Sequence, residues 1–106
     1  MRVRISEDFR VAYKRLKKRH KSLEYDFESL LTSLLQNPMQ GVELFGGARK
    51  IRLAITSKGR GKSSGARVII RVRIVQDELQ FLYIYDKSDM GNISDIYLRE
   101  LLKRME

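Results

Sequence analysis

The stretch Ala66-Arg67-Val68-Ile69-Ile70-Arg71-Val72-Arg73-Ile74-Val75 decides the fold. Its alternate positions Ala66, Val68, Ile70, Val72 and Ile74 are all apolar, whereas the intervening set contains Arg67, Arg71 and Arg73. A period of two predicts a strand in which only one face can belong to the core and the other is cationic. Gln76-Asp77-Glu78 then turns the chain, and Leu79 to Tyr85 returns as a near-continuous apolar and aromatic strand expected to lie centrally. On that strand Tyr83 and Tyr85 are expected to share a face with Leu79 and Phe81 and to belong to the core. Upstream, Arg49, Ile51, Leu53 and Ile55 alternate with Lys50, Arg52, Ala54 and Thr56, which predicts a third strand. A loop rich in Gly, Ser and cations, residues 57–65, joins it to the second.

The first half of the chain has a helical period. Val3 and Ile5 alternate with Arg2 and Arg4 in a short strand expected to bury one face, and Ser6 reads as the cap of a helix. Phe9, Ala12, Tyr13 and Leu16 fall on one side of that helix, while Arg10, Lys14, Lys17, Lys18 and Lys21 form a separate basic stripe. Ser22 reads as a second cap, followed by an apolar face of Leu23, Phe27, Leu30, Leu31, Leu34 and Leu35 that Asn37-Pro38 stops. A last helix opens at Ser94, with Ile93 and Leu98 as a hydrophobic staple and Leu101, Leu102 and Met105 continuing its buried side. The expectation is one α+β domain over residues 1–106: a small antiparallel or mixed sheet made of the N-terminal strand and a three-stranded meander, a helical hairpin packed on it, and a C-terminal helix.

Charge is segregated along the 106 residues, whose formal net charge is +9. Residues 1–21 hold nine basic and two acidic side chains, residues 22–47 none and four, residues 48–75 nine and none, and residues 76–106 four and seven. A 28-residue segment with no carboxylate repels itself, and an anionic partner such as a phosphate backbone relieves that repulsion. The absence of Cys excludes disulfides, thiolate zinc sites and cysteine nucleophiles. One histidine, His20, cannot make a paired-histidine nuclease site; placed between Arg19 and Lys21 near a helix end, it is expected to be exposed. Asp77, Glu78, Asp86, Asp89 and Asp95 have no metal-binding spacing, so neither a metal nor another cofactor is expected. No stretch approaches the roughly 20 apolar residues of a membrane span, so the chain reads as soluble and cytoplasmic, with no membrane partner.

Lys50 and Arg52, two apart on a strand, share a face at about 6–7 Å. With Arg67, Arg71 and Arg73 on the same side of the neighbouring strand, four or five cations crowd one patch of sheet. That patch is either a solvated basic face or a phosphate-facing site, and the crowding favours the second. Gly59-Arg60-Gly61-Lys62-Ser63 ends like a phosphate loop, yet Thr56 stands where the first Gly is required and a strand, not a helix, follows. Lys58, Arg60 and Lys62 are then flexible contacts to nucleic-acid phosphates or charges that keep a hairpin loop soluble.

The run Gly47-Ala48-Arg49-Lys50-Ile51-Arg52-Leu53-Ala54, followed by Lys58 to Ile69 with its Ser64-Gly65-Ala66-Arg67 step, resembles the central signature of the RelE/ParE toxin superfamily. Phe81-Leu82-Tyr83-Ile84-Tyr85-Asp86-Lys87-Ser88, Asn92-Ile93-Ser94 and the early Phe9, Lys14, Leu16, Lys17 pattern extend the resemblance, in order, over nearly the whole chain. RelE-type enzymes often carry an Arg just after the loop lysine and a Tyr at the start of the final helix. Here those places hold Ser88 and Ser94, which brings the chain nearer the HigB-like branch; Tyr97 stands one turn beyond.

The resemblance implies the toxin of a type II toxin–antitoxin pair, a ribosome-dependent endoribonuclease that cuts messenger RNA without a metal and inhibits translation. Lys50 and Arg52 would contact the scissile region, Arg67 would stabilise transition-state charge, and Lys87 would supply a further basic catalytic side chain. Lysine's usual pKa near 10.4 is high for a base, so crowding cations would have to lower it. Lys14, Lys17, Lys18, Lys58, Arg60, Lys62, Arg71 and Arg73 would bind RNA and ribosome. The implied partners are a cognate antitoxin, the ribosome with its message, and operator DNA through the toxin–antitoxin complex. Two alternatives stay open: a ParE-like inhibitor of DNA gyrase, and a non-catalytic basic module that binds RNA or DNA.

Overall fold

The computed structural model describes residues 1–59 and 64–106. Chain order is β1 (Arg2–Ile5), α1 (Glu7–Arg19), α2 (Leu23–Gln36), β2 (Val42–Glu43), β3 (Ala48–Leu53), β4 (Ala66–Arg73), β5 (Glu78–Asp86) and α3 (Asp95–Arg104), with 3-10 turns at Phe45–Gly47 and Thr56–Lys58. The strands form one mixed sheet in the order β1-β5-β4-β3-β2, parallel only between β1 and β5. This α+β arrangement is the expected one, with one strand added. The two-residue β2 has no period to announce it; the chain enters it at Gly41 with φ +81°, where any Cβ would lie 2.3 Å from the Lys50 carbonyl oxygen.

Helices α1 and α2 cover one face of the sheet. Phe9, Leu16, Phe27 and Leu34 meet Ile51, Leu53, Val68, Ile70, Leu79, Phe81 and Ile84 there. Rings of Phe9, Phe27 and Phe81 pack mutually at centroid distances of 5.0–5.5 Å. Ser6 caps α1 by accepting from the Phe9 amide and donates to the Leu82 carbonyl, tying the helix start to β5. On the other face α3 sets Leu98, Leu101 and Leu102 against Ala48, Ile69, Leu82 and Tyr85. Ser94 caps α3 through the Tyr97 amide, and both staple residues, Ile93 and Leu98, are buried.

Five expectations need correction. Strand β4 is buried on both faces from Ala66 to Arg71, because α3 covers the side that carries Ile69 and the arginines; Ile74 lies beyond it and is exposed. Strand β1 buries neither face: at the sheet edge, with no helix over it, Val3 remains 38% and Ile5 37% exposed. Ser22 does not cap α2 with its side chain; its hydroxyl donates to Asp26 at 2.7 Å and accepts from the Ser57 amide at 2.8 Å. Leu35 is exposed, leaving the apolar face of α2 narrower than its sequence. The tyrosines differ most. Ile70 pairs with Phe81 and Ile69 with Tyr83, so Leu82 is an extra residue, a bulge in β5. Past it the strand changes face, and Tyr85 lies with Leu82 and α3, opposite Leu79 and Phe81, while Tyr83 touches both cores.

Candidate active site

Strand register builds the site. Arg52, Arg67 and Tyr85 are directly opposed across β3, β4 and β5, one row over three strands. Directly opposed side chains start about 4.5–5.5 Å apart at Cβ, close enough for two guanidinium groups to act on one phosphate. Lys50 sits two residues along from Arg52 on the same face. Its ammonium bonds the Asn92 side-chain oxygen at 3.1 Å. Lys87, just past β5, bonds the Gly91 carbonyl at 2.6 Å, so both lysines converge on the loop that precedes α3. All four predicted catalytic residues, Lys50, Arg52, Arg67 and Lys87, therefore gather at one end of the α3 face. Among the described residues, none of Lys50, Arg52 and Lys87 makes an ion pair.

Arg67 is 5% exposed and donates to the Ala66 carbonyl at 3.2 Å. Beside it, burial pushes the Tyr85 phenol up against the opposing pull of the Arg67 charge. That hydroxyl faces the Ile93 amide but, among the described residues, makes no hydrogen bond of normal geometry. Tyr85 thus ends the row beside Arg67, buried in the cluster under α3. Its side was hidden from the sequence by the bulge.

Among the described residues, the other predicted basic side chains do not join this patch. Lys14, Lys17 and Lys18 are exposed on α1, across the sheet from the row, and Lys17 pairs with Glu24 at 3.3 Å. Arg71 is on the right face but only 7% exposed, sealed under α3, with its Nε on Gln80 at 2.8 Å; burial and then neighbouring Arg73 push its pKa down. Gln80 in turn bonds Glu78, which also holds Arg2 and Arg4. This buried chain ties Arg71 down within the fold, and Arg71 also lines a cleft with Gly46, Gly47, Arg73, Gln76 and Glu106. Arg73, six residues along β4, is about 20 Å from Arg67. Arg60 and Lys62 lie outside the described residues. Lys58 turns inward, donating to Asp86 at 3.1 Å and to the Ser64 carbonyl at 3.0 Å.

His20 corrects another expectation. It is only 9% exposed, and its Nε2 lies 2.9 Å from the buried Asp86 carboxylate. Sequence position near a helix end gave no sign of this, because the partner is 66 residues away. Tyr97, beyond Ser94, bonds Asp8 at 3.5 Å and packs edge-on against Tyr83 at 5.2 Å, away from the row. No helix among the described residues is long and apolar enough to cross a membrane, and no group of three or more His, Cys, Asp or Glu side chains is placed to hold a metal ion.

Comparison with solved structures finds the same fold. The isolated Escherichia coli RelE toxin in a P21 crystal form matches with a TM-score of 0.61 at 16% identity, over 99% of this chain and 98% of that one. A double arginine-to-alanine variant of E. coli RelE in the free state matches with a TM-score of 0.62 at 18% identity, over 99% and 97%. A model of the family described as the RelE toxin of the RelE/RelB toxin–antitoxin system matches residues 9–105. With the cationic row and these matches together, the chain belongs to the RelE toxin family, as the toxin of a toxin–antitoxin system.

Proposed function

We propose that this toxin is an endoribonuclease that cuts messenger RNA in the ribosome and thereby stops translation, without a metal. The carrying observation is the row Arg52–Arg67 with Lys50 and Lys87 beside it, cations gathered where Lys50, Arg52 and Lys87 have no carboxylate to neutralise them. In the reaction the 2′-hydroxyl oxygen bonds the adjacent phosphorus and the bond to the 5′-oxygen breaks. The products are a 2′,3′-cyclic phosphate and a 5′-hydroxyl; the proton leaves the 2′-oxygen and one is delivered to the departing 5′-oxygen.

The residues divide by chemistry. A guanidinium is permanently charged, so Arg52 and Arg67 suit the extra negative charge of the pentacoordinate transition state rather than proton transfer. The ammonium groups of Lys50 and Lys87 are the members of the set suited to proton transfer, and the present partner of Lys50, an amide oxygen of Asn92, is one an RNA oxygen can replace. Lys87 supports the charge from the other side. Ser88 and Ser94, in place of Arg and Tyr, fit a HigB-like arrangement of this set. The exposed stripe of α1 supplies a second contact to ribosomal RNA, and membership of the family implies a cognate antitoxin as partner. An antitoxin with acidic side chains over the row would silence the site, and the pair could bind operator DNA.

Primer extension on messages during translation tests this reading. Wild-type protein is expected to generate new 5′-hydroxyl ends within codons, and Arg52→Ala to abolish them. Messages left intact by folded wild-type protein would refute it.

A further inference from the structure

One buried charge is not used by this chemistry. The Asp86 carboxylate is enclosed and accepts from four residues on three segments: Ser88 amide and hydroxyl at 2.9 and 2.7 Å, Lys58 at 3.1 Å, and at the end of α1 His20 Nε2 at 2.9 Å and Arg19 at 3.4 Å. It points toward α1, away from the row. Burying such a charge costs several kcal/mol unless its lone pairs are filled, and a well-packed apolar residue would serve stability as well. The carboxylate offers what an apolar residue lacks, several acceptor sites that bind different segments to one point.

Two of those segments lead into the site, and the end of α1 is the third. Lys87 follows Asp86 directly, and its amide donates to the Gly65 carbonyl at 3.0 Å. Ala66, paired with Asp86, precedes Arg67. Lys58 spans from Asp86 to Ser64, so it ties residues 58 and 64 to the end of β5. We propose that Asp86 is the positioning residue of the site: from the opposite face it ties the end of β5 to the start of β4 and to Lys58, and so sets Lys87 and Arg67 against the scissile phosphate. This deepens the nuclease reading and rests on it. Lys58 becomes an arm of the anchor instead of a free phosphate contact.

Single-turnover cleavage on programmed ribosomes, measured against toxin concentration, tests the proposal with full-length Asp86→Asn. The expected result is a saturating rate lower by about 10²-fold, as for an ångström-scale misplacement, with half-saturation changed by less than about threefold. Folded Asp86→Asn that cleaves within about threefold of wild type overturns it. Should Asp86→Asn fail to fold, Lys58→Met decides: a rate loss of about tenfold, restored by Lys58→Arg, supports the anchor, and equal rates in all three chains overturn it. Amide hydrogen exchange at Lys87 and Ser88 gives an arm independent of RNA. Faster exchange in the variant is expected, and unchanged exchange refutes the anchor, whereas intact messages with wild-type protein refute only the nuclease reading.

Discussion

The two faces of this sheet are built to different rules. Toward α1 and α2 the strands present Leu, Ile, Val and Phe in one continuous core; toward α3 the same strands present Lys50, Arg52, Arg67, Arg71 and Gln80 around a smaller cluster. The first face holds the larger apolar core, and on the second Lys50 and Arg52 make no ion pair among the described residues. The difference teaches that a small chain can crowd cations on half its sheet when the other half supplies the cohesion.

Adjacent residues test the division first. Phe81→Ala empties the ring cluster of α1, α2 and β5 and is expected to cost about 3–5 kcal/mol, whereas Leu82→Ala, facing α3, is expected to cost about 2–3 kcal/mol. Urea unfolding of the two variants would erase the comparison if the order reversed. Arg67→Ala is expected to lower cleavage by about 10²–10³-fold, on the scale of removing one transition-state donor, while the midpoint of urea unfolding moves far less than in Phe81→Ala.

Acid titration sharpens the same contrast. Burial alone would raise Asp86, but hydrogen bonds from Ser88, Lys58 and His20 outweigh it and hold the carboxyl well below the usual range. A carboxyl depressed in the folded state contributes stability that is fully present above its unfolded pKa of about 3.9 and is lost as pH falls toward the folded value. Wild-type stability should therefore drop steeply below about pH 4, and Asp86→Asn should flatten that slope in urea melts taken from pH 5 to 2. An unchanged slope would place the acid sensitivity at Glu78, the other carboxyl lowered in the fold, chiefly by Gln80 and then by Arg4 and Arg2 against burial. The smallest effect is expected on α1. Replacing Lys14 and Lys18 with Ala should weaken ribosome binding by severalfold and lessen its salt dependence, with the saturating rate unchanged.

Much of this was legible in the chain. Period-two patterning located β3 and β4, the near-continuous apolar run located β5, helical period located all three helices, and the spacing of Lys50, Arg52 and Arg67 placed them on one face, as the register confirms. What stayed hidden was non-local. Covering of Arg71 depends on where α3 packs, the Asp86 anchor joins residues up to 67 positions apart, and a single unpaired residue in β5 reassigned Tyr85. Local pattern carries no record of such meetings.

The bulge at Leu82 also bears on changes of length. Deleting Leu82 would straighten β5 and leave Ile69, Val68 and Arg67 facing the same partners as now. Deleting Ile84 would likewise be taken up by the bulge: Leu82 would face Ile69 and Tyr83 face Val68, with Tyr85 still opposite Arg67 and Asp86 still opposite Ala66, at the loss of one core isoleucine. Insertions and deletions in this strand are therefore far from equivalent: the spare residue lets one position be lost with the site's frame intact, whereas a second loss would shift Asp86 and Lys87 against Arg67.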